Sequence, residues 1–302
     1  MNASFSEEVK IGTLDHIIKD ADRCQFEESF NRVSFPFAHY LSEHPLFALD
    51  RLVELAHTQA DEDVYFDAGN IAVNQRWDQS PKGRLSVTQT IDQIENAGAW
   101  VLLKRLQRDP RYAAILESGL AEVESLVGAN FPKKIQRKSV VVLITSPNRT
   151  TAYHIDPDCN FLIQIRGEKV LYVFDQYDRE VLPEQELERF WTLDNNAAIY
   201  KEQFQARARA YEMKPGMGVH MPVNAPHWAK NGDNISVSVA LIFQMPDWDL
   251  ANIYRWNHYL RKIGLDPTPP GQSRLRDAMK RWSMEGASRA RRTLKRLVGK
   301  GN

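Results

Sequence analysis

A mainly β core, an antiparallel sandwich or barrel with helices at both ends, is the fold predicted for this chain of 302 residues. Three observations predict it. Between Ser139 and Pro246, short β-branched runs alternate with turn residues, as closely spaced strands do. On either side of that zone, apolar residues recur at three- and four-residue intervals, the helical period. Finally, 43% of the residues are hydrophobic, with 13 Phe, 10 Tyr and 7 Trp, which supplies a large core and excludes a disordered, collagen-like or low-complexity chain.

Residues 1–135 are expected to form a helical region packing on the barrel. In LFALDRLVELA, after His44-Pro45, Leu46, Leu49, Leu52, Val53 and Ala56 share a helix face. Thr88 is placed to cap a helix from Thr90 onward, with Ile91, Ile94, Ala97, Val101 and Leu102 on one side. Asp109-Pro110 breaks it, and YAAILESGLAEVESLVG forms another helix ending at Gly128. Within the ambiguous stretch 64–87, a short strand is expected around Asn70–Asn74.

Residues 136–246 form the expected barrel core. SVVVLIT is β-branched and bounded by Ser-Pro-Asn; NFLIQI and EKVLYVF flank an Arg-Gly turn; ISVSVALIF nearly alternates until Pro246. LPEQELERFW is a helix inserted between strands. Residues 247–302 return to helix, interrupted by Pro267, Pro269, Pro270 and Gly271.

The formal net charge is zero, but the charge is unevenly placed. From Gly271 to the end there are ten Lys or Arg against two Asp or Glu, a net of +8, so the first 270 residues carry −8. Leu275, Met279 and Trp282 share one side of that tail, and Ala290, Leu294, Leu297 and Val298 form another set. An amphipathic helix packed on the acidic remainder is expected, with contact to an anionic surface as the alternative. Two cysteines are too few for a disulfide framework, the N-terminal MNASFSEEVK lacks the shape of a secretory signal, and no apolar run is long enough to span a membrane. The expected compartment is the cytosol.

Three segments carry chemistry. In Thr151-Ala-Tyr-His154-Ile-Asp156, the two polar groups are two residues apart on a strand, so His154 and Asp156 reach one point. In Gly216-Met-Gly-Val-His-Met-Pro222-Val-Asn-Ala-Pro-His227, a Pro-containing turn delivers a second imidazole; His220 is the weaker candidate. Two His and one carboxylate leave three metal positions open, as in non-haem Fe(II) oxygenases. In Asn160-Phe-Leu-Ile-Gln-Ile-Arg-Gly-Glu-Lys169, a Lys pointing into the barrel would demand a carboxylate ligand, because a buried ammonium without a counter-anion is costly. A metal triad plus a buried cation fits 2-oxoglutarate. The plain alternatives are a solvated hairpin Lys169, turn-capping roles for Asn160 and Thr151, and Cys159 as a small apolar filler.

HIDPDCNFLIQIRGEK resembles the corresponding stretch of JmjC-type (cupin-like) 2-oxoglutarate oxygenases, especially the asparaginyl hydroxylase that inhibits hypoxia-inducible factor. The matching positions are Thr151, His154, Asp156, Asn160, Gly167 and Lys169, with His227 five residues after Pro222; together they lie within residues 138–245. Gly216, Pro222, His227 and Asn231 also follow the second cupin motif, with Asn224 in place of its middle Gly. Ala240 departs from the hydroxylase pattern, which has Asn there.

The resemblance implies a double-stranded β-helix (jelly-roll) core and a hydroxylase. It implies Fe(II) at His154, Asp156 and His227, 2-oxoglutarate held by Lys169 with Thr151 and Asn160, and a homodimer through the C-terminal helices. The competing expectations are a non-catalytic cupin-like protein binding a small acid or sugar, and a cupin enzyme using metal without 2-oxoglutarate.

Overall fold

Alternating strands and turns do build a jelly roll, and the N-terminal region adds strands at both edges of its larger sheet. The computed structural model describes residues 16–69, 71–81, 85–245 and 248–298. The polar stretch 1–10, Asn70, Pro246 and the side chains of Ala290, Leu294, Leu297 and Val298 lie outside the described residues.

The N-terminal part contains β1 (Ile18–Lys19), α1 (Arg23–Ser29), β2 (Phe35–His39), α2 (Leu49–Thr58), β3 (Val64–Ala68), α3 (Val87–Asp92), β4 (Ala99–Leu103) and α4 (Pro110–Val127). The barrel strands follow as β5 (Gln136–Thr145), β6 (Thr150–His154), β7 (Cys159–Arg166) and β8 (Lys169–Val173). After α5 (Glu184–Phe190) come β9 (Arg209–Met213), β10 (Met217–Met221), β11 (His227–Asn231) and β12 (Ser236–Gln244). Two helices close the described chain, α6 (Trp248–Lys262) and α7 (Arg274–Val298).

All strand pairs are antiparallel, in a larger sheet ordered β1-β2-β10-β7-β12-β5-β4-β3 and a smaller one ordered β6-β11-β8-β9. Strands β5 to β12 thus fill two facing four-stranded layers, the chain crossing between layers at every step except β8 to β9, the jelly-roll connection. Leu162, Val219, Met221 and Ala240 of one layer meet Leu171, Val173, Met213 and Ala229 of the other to fill the interior. On the outer face of the larger sheet, Phe161, Ile163, Val239 and Leu241 pack with Phe26, Leu52, Leu116 and Leu120 from α1, α2 and α4. Strand β7 is therefore buried on both faces, which is why its sequence is almost continuously apolar.

Helix α4 starts and stops where expected: Asp109 accepts from the Arg111 N–H, Pro110 occupies the first turn, and Gly128 follows at φ 61°. The N-terminal region is not simply helical, and this corrects the expectation for residues 1–135. Its strands β2 and β1 extend one edge of the larger sheet, and β4 and β3 extend the other.

The helix expected from Thr90 through Leu102 is short, capped by a Ser86–Gln89 capping box and not by Thr88. Gly98, at φ 57°, turns the chain, and Ala99–Leu103 becomes β4. Both faces of β4 carry apolar residues, so the period-two signal is masked and the spacing mimics a helix. The strand sought around Asn70–Asn74 lies earlier, at Val64–Ala68; residues 71–74 run through a turn.

Candidate metal centre

The site sits at one end of the sandwich, where β6 and β11 pair. His154 ends β6 and His227 begins β11, and the two are direct register partners. Opposed residues of an antiparallel pair project to the same side, so the rings meet with centroids 4.1 Å apart.

Just beyond β6, Asp156 places Oδ2 3.7 Å from the Nε2 of each imidazole. The ligand atoms of the three residues lie within 4.8 Å of one another, the only such group of three His, Cys, Asp or Glu among the described residues. The Asn224 N–H donates to the Asp156 carbonyl at 2.9 Å, tying that loop to the Pro222–Pro226 turn, where Asn224 adopts φ 61°.

Both imidazoles are held in a defined state. His154 Nδ1 lies 2.8 Å from the Ala152 carbonyl and His227 Nδ1 lies 2.9 Å from that of Ala225. A carbonyl only accepts, so Nδ1 carries a proton in both rings, and Nε2 is the atom turned to the common point. Burial, then the neighbouring His154 ring, pushes His227 below the usual histidine range, which favours its neutral form. Two imidazoles that present Nε2 and a carboxylate, oriented by backbone acceptors, suit a divalent transition metal and leave its other faces open.

Four residues along β8 from Val173, the register partner of His227, is Lys169. Lys169, Leu171 and Val173 alternate onto the interior face, and Lys169 is only 6% exposed. Among the described residues no carboxylate pairs with its ammonium, and burial pushes it down to about 8. Thr151 pairs with Ala229 on the smaller sheet. Asn160 pairs with Met221 and Ile242 on the interior face of the larger one. The Asn160 Oδ1 is buried without a hydrogen-bond partner. Ala240, opposite Leu162 and Val141, leaves that part of the interior apolar.

Strand faces separate the neighbouring groups from the ligands. His220 points to the outer face among Phe30, Phe35 and Phe161, with Nε2 accepting from the Asn31 N–H at 2.9 Å, so it is a satisfied core residue. Cys159 is fully buried in the outer apolar cluster. Tyr153 and Trp228 turn away from the ligands, Tyr153 against Phe174 and Trp228 onto Tyr172.

Trp77 was not legible as part of the site. Its ring stands edge-on to His154 with centroids 5.1 Å apart, and its backbone N–H donates to Asn196 Oδ1 at 2.7 Å. Only a lone Trp between turn residues marks it in the sequence. Asn231 ends β11 and donates to the Thr145 and Ser146 carbonyls, so the last cupin-motif residue is a tie between segments.

No curated protein matches the sequence. Solved structures do match in fold. The crystal structure of Escherichia coli ribosomal oxygenase YcfD superposes with a TM-score of 0.52 at 13% identity, covering 89% of this chain and 67% of that one. YcfD in complex with cobalt and 2-oxoglutarate gives a TM-score of 0.51 at 14% identity, with the same coverage. At such identity the likeness is one of architecture. Residues 19–249 match the family described as cupin-like domain, and the chain belongs to that family.

Proposed function

We propose that this chain is an Fe(II)- and 2-oxoglutarate-dependent oxygenase, acting as a hydroxylase. The observation that carries the reading is the buried, unpaired Lys169 on the interior wall shared with a His–Asp–His cluster. Four strand residues separate Lys169 from the level of His227, about 13 Å of backbone. The lysine side chain and a short dicarboxylate can together span that gap. A related architecture, in the ribosomal oxygenase YcfD, takes cobalt and 2-oxoglutarate, which supports the same pairing here.

In this reading His154 and His227 bind the metal through Nε2 and Asp156 through Oδ2. When bound, the metal and 2-oxoglutarate supply oxidative decarboxylation to succinate and carbon dioxide, coupled to hydroxylation of a substrate carbon. The residues position and exclude. The Ala152 and Ala225 carbonyls hold both imidazoles in the metal-binding tautomer. The Lys169 ammonium takes the distal carboxylate, a charge-assisted contact in a low-dielectric wall. Thr151 and the unpaired Asn160 Oδ1 face the co-substrate, as the resemblance to the asparaginyl hydroxylase implies, while Leu171, Val173 and Met221 keep bulk water out.

The exposed Leu275, Met279 and Trp282 on α7 favour a homodimer through the C-terminal helices. The free thiols of Cys24 and Cys159 accord with a cytosolic setting.

Anaerobic addition of Fe(II) and 2-oxoglutarate should give a visible charge-transfer band in the wild type and none in His154→Ala. A band together with succinate release on admission of dioxygen supports the oxygenase. Absence of both defeats it and leaves a non-catalytic cupin-like binding protein. A protein that binds metal, but whose activity and 2-oxoglutarate affinity are indifferent to Lys169→Ala, would point instead to a cupin enzyme that does not use 2-oxoglutarate.

A further inference from the structure

A series of oxidisable rings leads outward from the metal centre. Trp77, in the loop between β3 and α3, meets His154 edge-on at 77°. Trp100 of β4 follows, its centroid 5.5 Å from that of Trp77. Tyr65 of β3 comes next, 5.8 Å from Trp100 and at 71° to it. These separations are those of rings in contact. Because Tyr65 pairs with Leu102 and Asp67 with Trp100, Tyr65 and Trp100 share one face as diagonal neighbours.

None of the three belongs to the four apolar clusters that hold the sandwich together, although Trp100 is buried. Their environments are graded. Trp100 is buried, and its Nε1 has no hydrogen-bond acceptor, so the indole has nowhere to pass a proton. Tyr65 is half-buried at the outer end.

We infer that Trp77, Trp100 and Tyr65 form an electron relay that discharges the metal centre when dioxygen oxidises it with no substrate in place. This rests on the metal-centre reading above. Trp77 gives one electron to the oxidised metal ion and takes one from Trp100, which takes one from Tyr65. Trp100 keeps its N–H proton throughout, so the charge passes on and is not trapped there. Tyr65 loses its electron and releases its phenolic proton to water, leaving a neutral tyrosyl radical.

A thiol reductant in solution returns the radical to tyrosine by giving one hydrogen atom. Each passage moves one electron from a thiol to the metal and leaves a thiyl radical and one proton in solution; a centre two electrons above its resting state needs two passages and takes two protons from water. The Lys104 ammonium, 5.3 Å from the Tyr65 ring centre, holds that ring's electrons more tightly. The relay therefore drains only a strongly oxidising centre and spares the resting metal. Discharge of this kind protects the ligands from the side reactions that an empty active site permits.

The test loads the full chain with Fe(II) and 2-oxoglutarate, records the anaerobic charge-transfer band, then admits dioxygen without substrate or thiol and maps oxidised side chains by peptide mass spectrometry. In the wild type, oxidation products are expected at Tyr65, and added glutathione should suppress them. Trp100→Phe replaces the middle ring by one too hard to oxidise. Tyr65 oxidation should then fall to the level of the metal-free control while Trp77 oxidation rises.

Trp77→Phe, at a more exposed position, should spare both Trp100 and Tyr65 and serves if Trp100→Phe folds poorly. Equal Tyr65 oxidation in the wild type and both variants overturns the relay, because diffusing oxidants would then suffice. A normal band with unmodified Tyr65 in the wild type also overturns it and leaves the metal-centre reading standing. A missing band removes both.

Discussion

Lys169 sets the strongest residue-scale expectation. Its ammonium, normally near 10.5, is pushed by burial to about 8. Between those values the unfolded chain binds the proton more tightly than the folded one, so stability rises as pH climbs from about 8 toward 10.5. At neutral pH the uncompensated charge costs roughly 3 kcal/mol. Lys169→Met should therefore raise the Tm of the ligand-free protein at pH 7, with the difference from wild type closing toward pH 10 in thermal melts. In the same variant, 2-oxoglutarate affinity measured calorimetrically should weaken by about 100-fold, the loss of one charge-assisted contact worth up to roughly 3 kcal/mol. Stability that is unchanged or lowered at pH 7 would mean the ammonium already has a counter-charge. His154, Asp156 and His227 were legible because a strand spacing of two and a Pro-fixed turn leave little freedom in where those side chains point. His220 and His227 were separable only once strand faces were known, and Trp77 comes from a loop far away in sequence.

At the scale of elements, the turn that carries Lys169 has little room for change. Gly167 adopts φ 69°, and a Cβ there would lie 2.1 Å from Asn234 Oδ1 and 2.4 Å from the Ile235 carbonyl. Gly167→Ala should cost about 1–3 kcal/mol in urea unfolding, from backbone strain alone. It should also weaken 2-oxoglutarate binding by displacing the start of β8; unchanged affinity would mean that the turn does not position Lys169.

A second constraint ties an N-terminal strand to the site. Arg149, just before β6, pairs with Asp67 of β3, and both side chains are 3% exposed. Removing one partner of a buried pair leaves the other charge unpaired, so Arg149→Met should destabilise by about 3–5 kcal/mol. A loss below 1 kcal/mol would show that water reaches Asp67. Neither this pair nor strands β2 to β4 were legible in the sequence. The pairing joins residues 82 apart, and Ala99–Leu103 mimics a helical period because both of its faces are covered. Barrel strands β5, β7, β8 and β12 were legible because turn residues bound each of them, whereas β9 and β10 were not singled out.

Over the whole molecule, the split of charge between an acidic body and a basic tail was visible from composition, whereas the face that α7 turns outward was not. Lys280 decides it: its Nζ donates to the Thr268 carbonyl at 2.6 Å, so that side of α7 faces inward. Leu275, Met279 and Trp282 then stand 73%, 59% and 69% exposed, spaced four and three residues apart along one stripe. That spacing is the one a helix–helix seam uses. Two basic helices approaching one another are opposed by their like charges, so an association here must be driven by the apolar stripe. Such a dimer should persist at about 1 M salt, where the Debye length falls to about 3 Å and ionic contacts are screened. In sedimentation velocity the full chain should run as a dimer at both low and high salt, and Trp282→Glu should run as a monomer with its anaerobic charge-transfer band intact. A wild-type monomer rejects the seam, while a dimer that dissociates in high salt assigns the contact to the basic helix against a partner's acidic body.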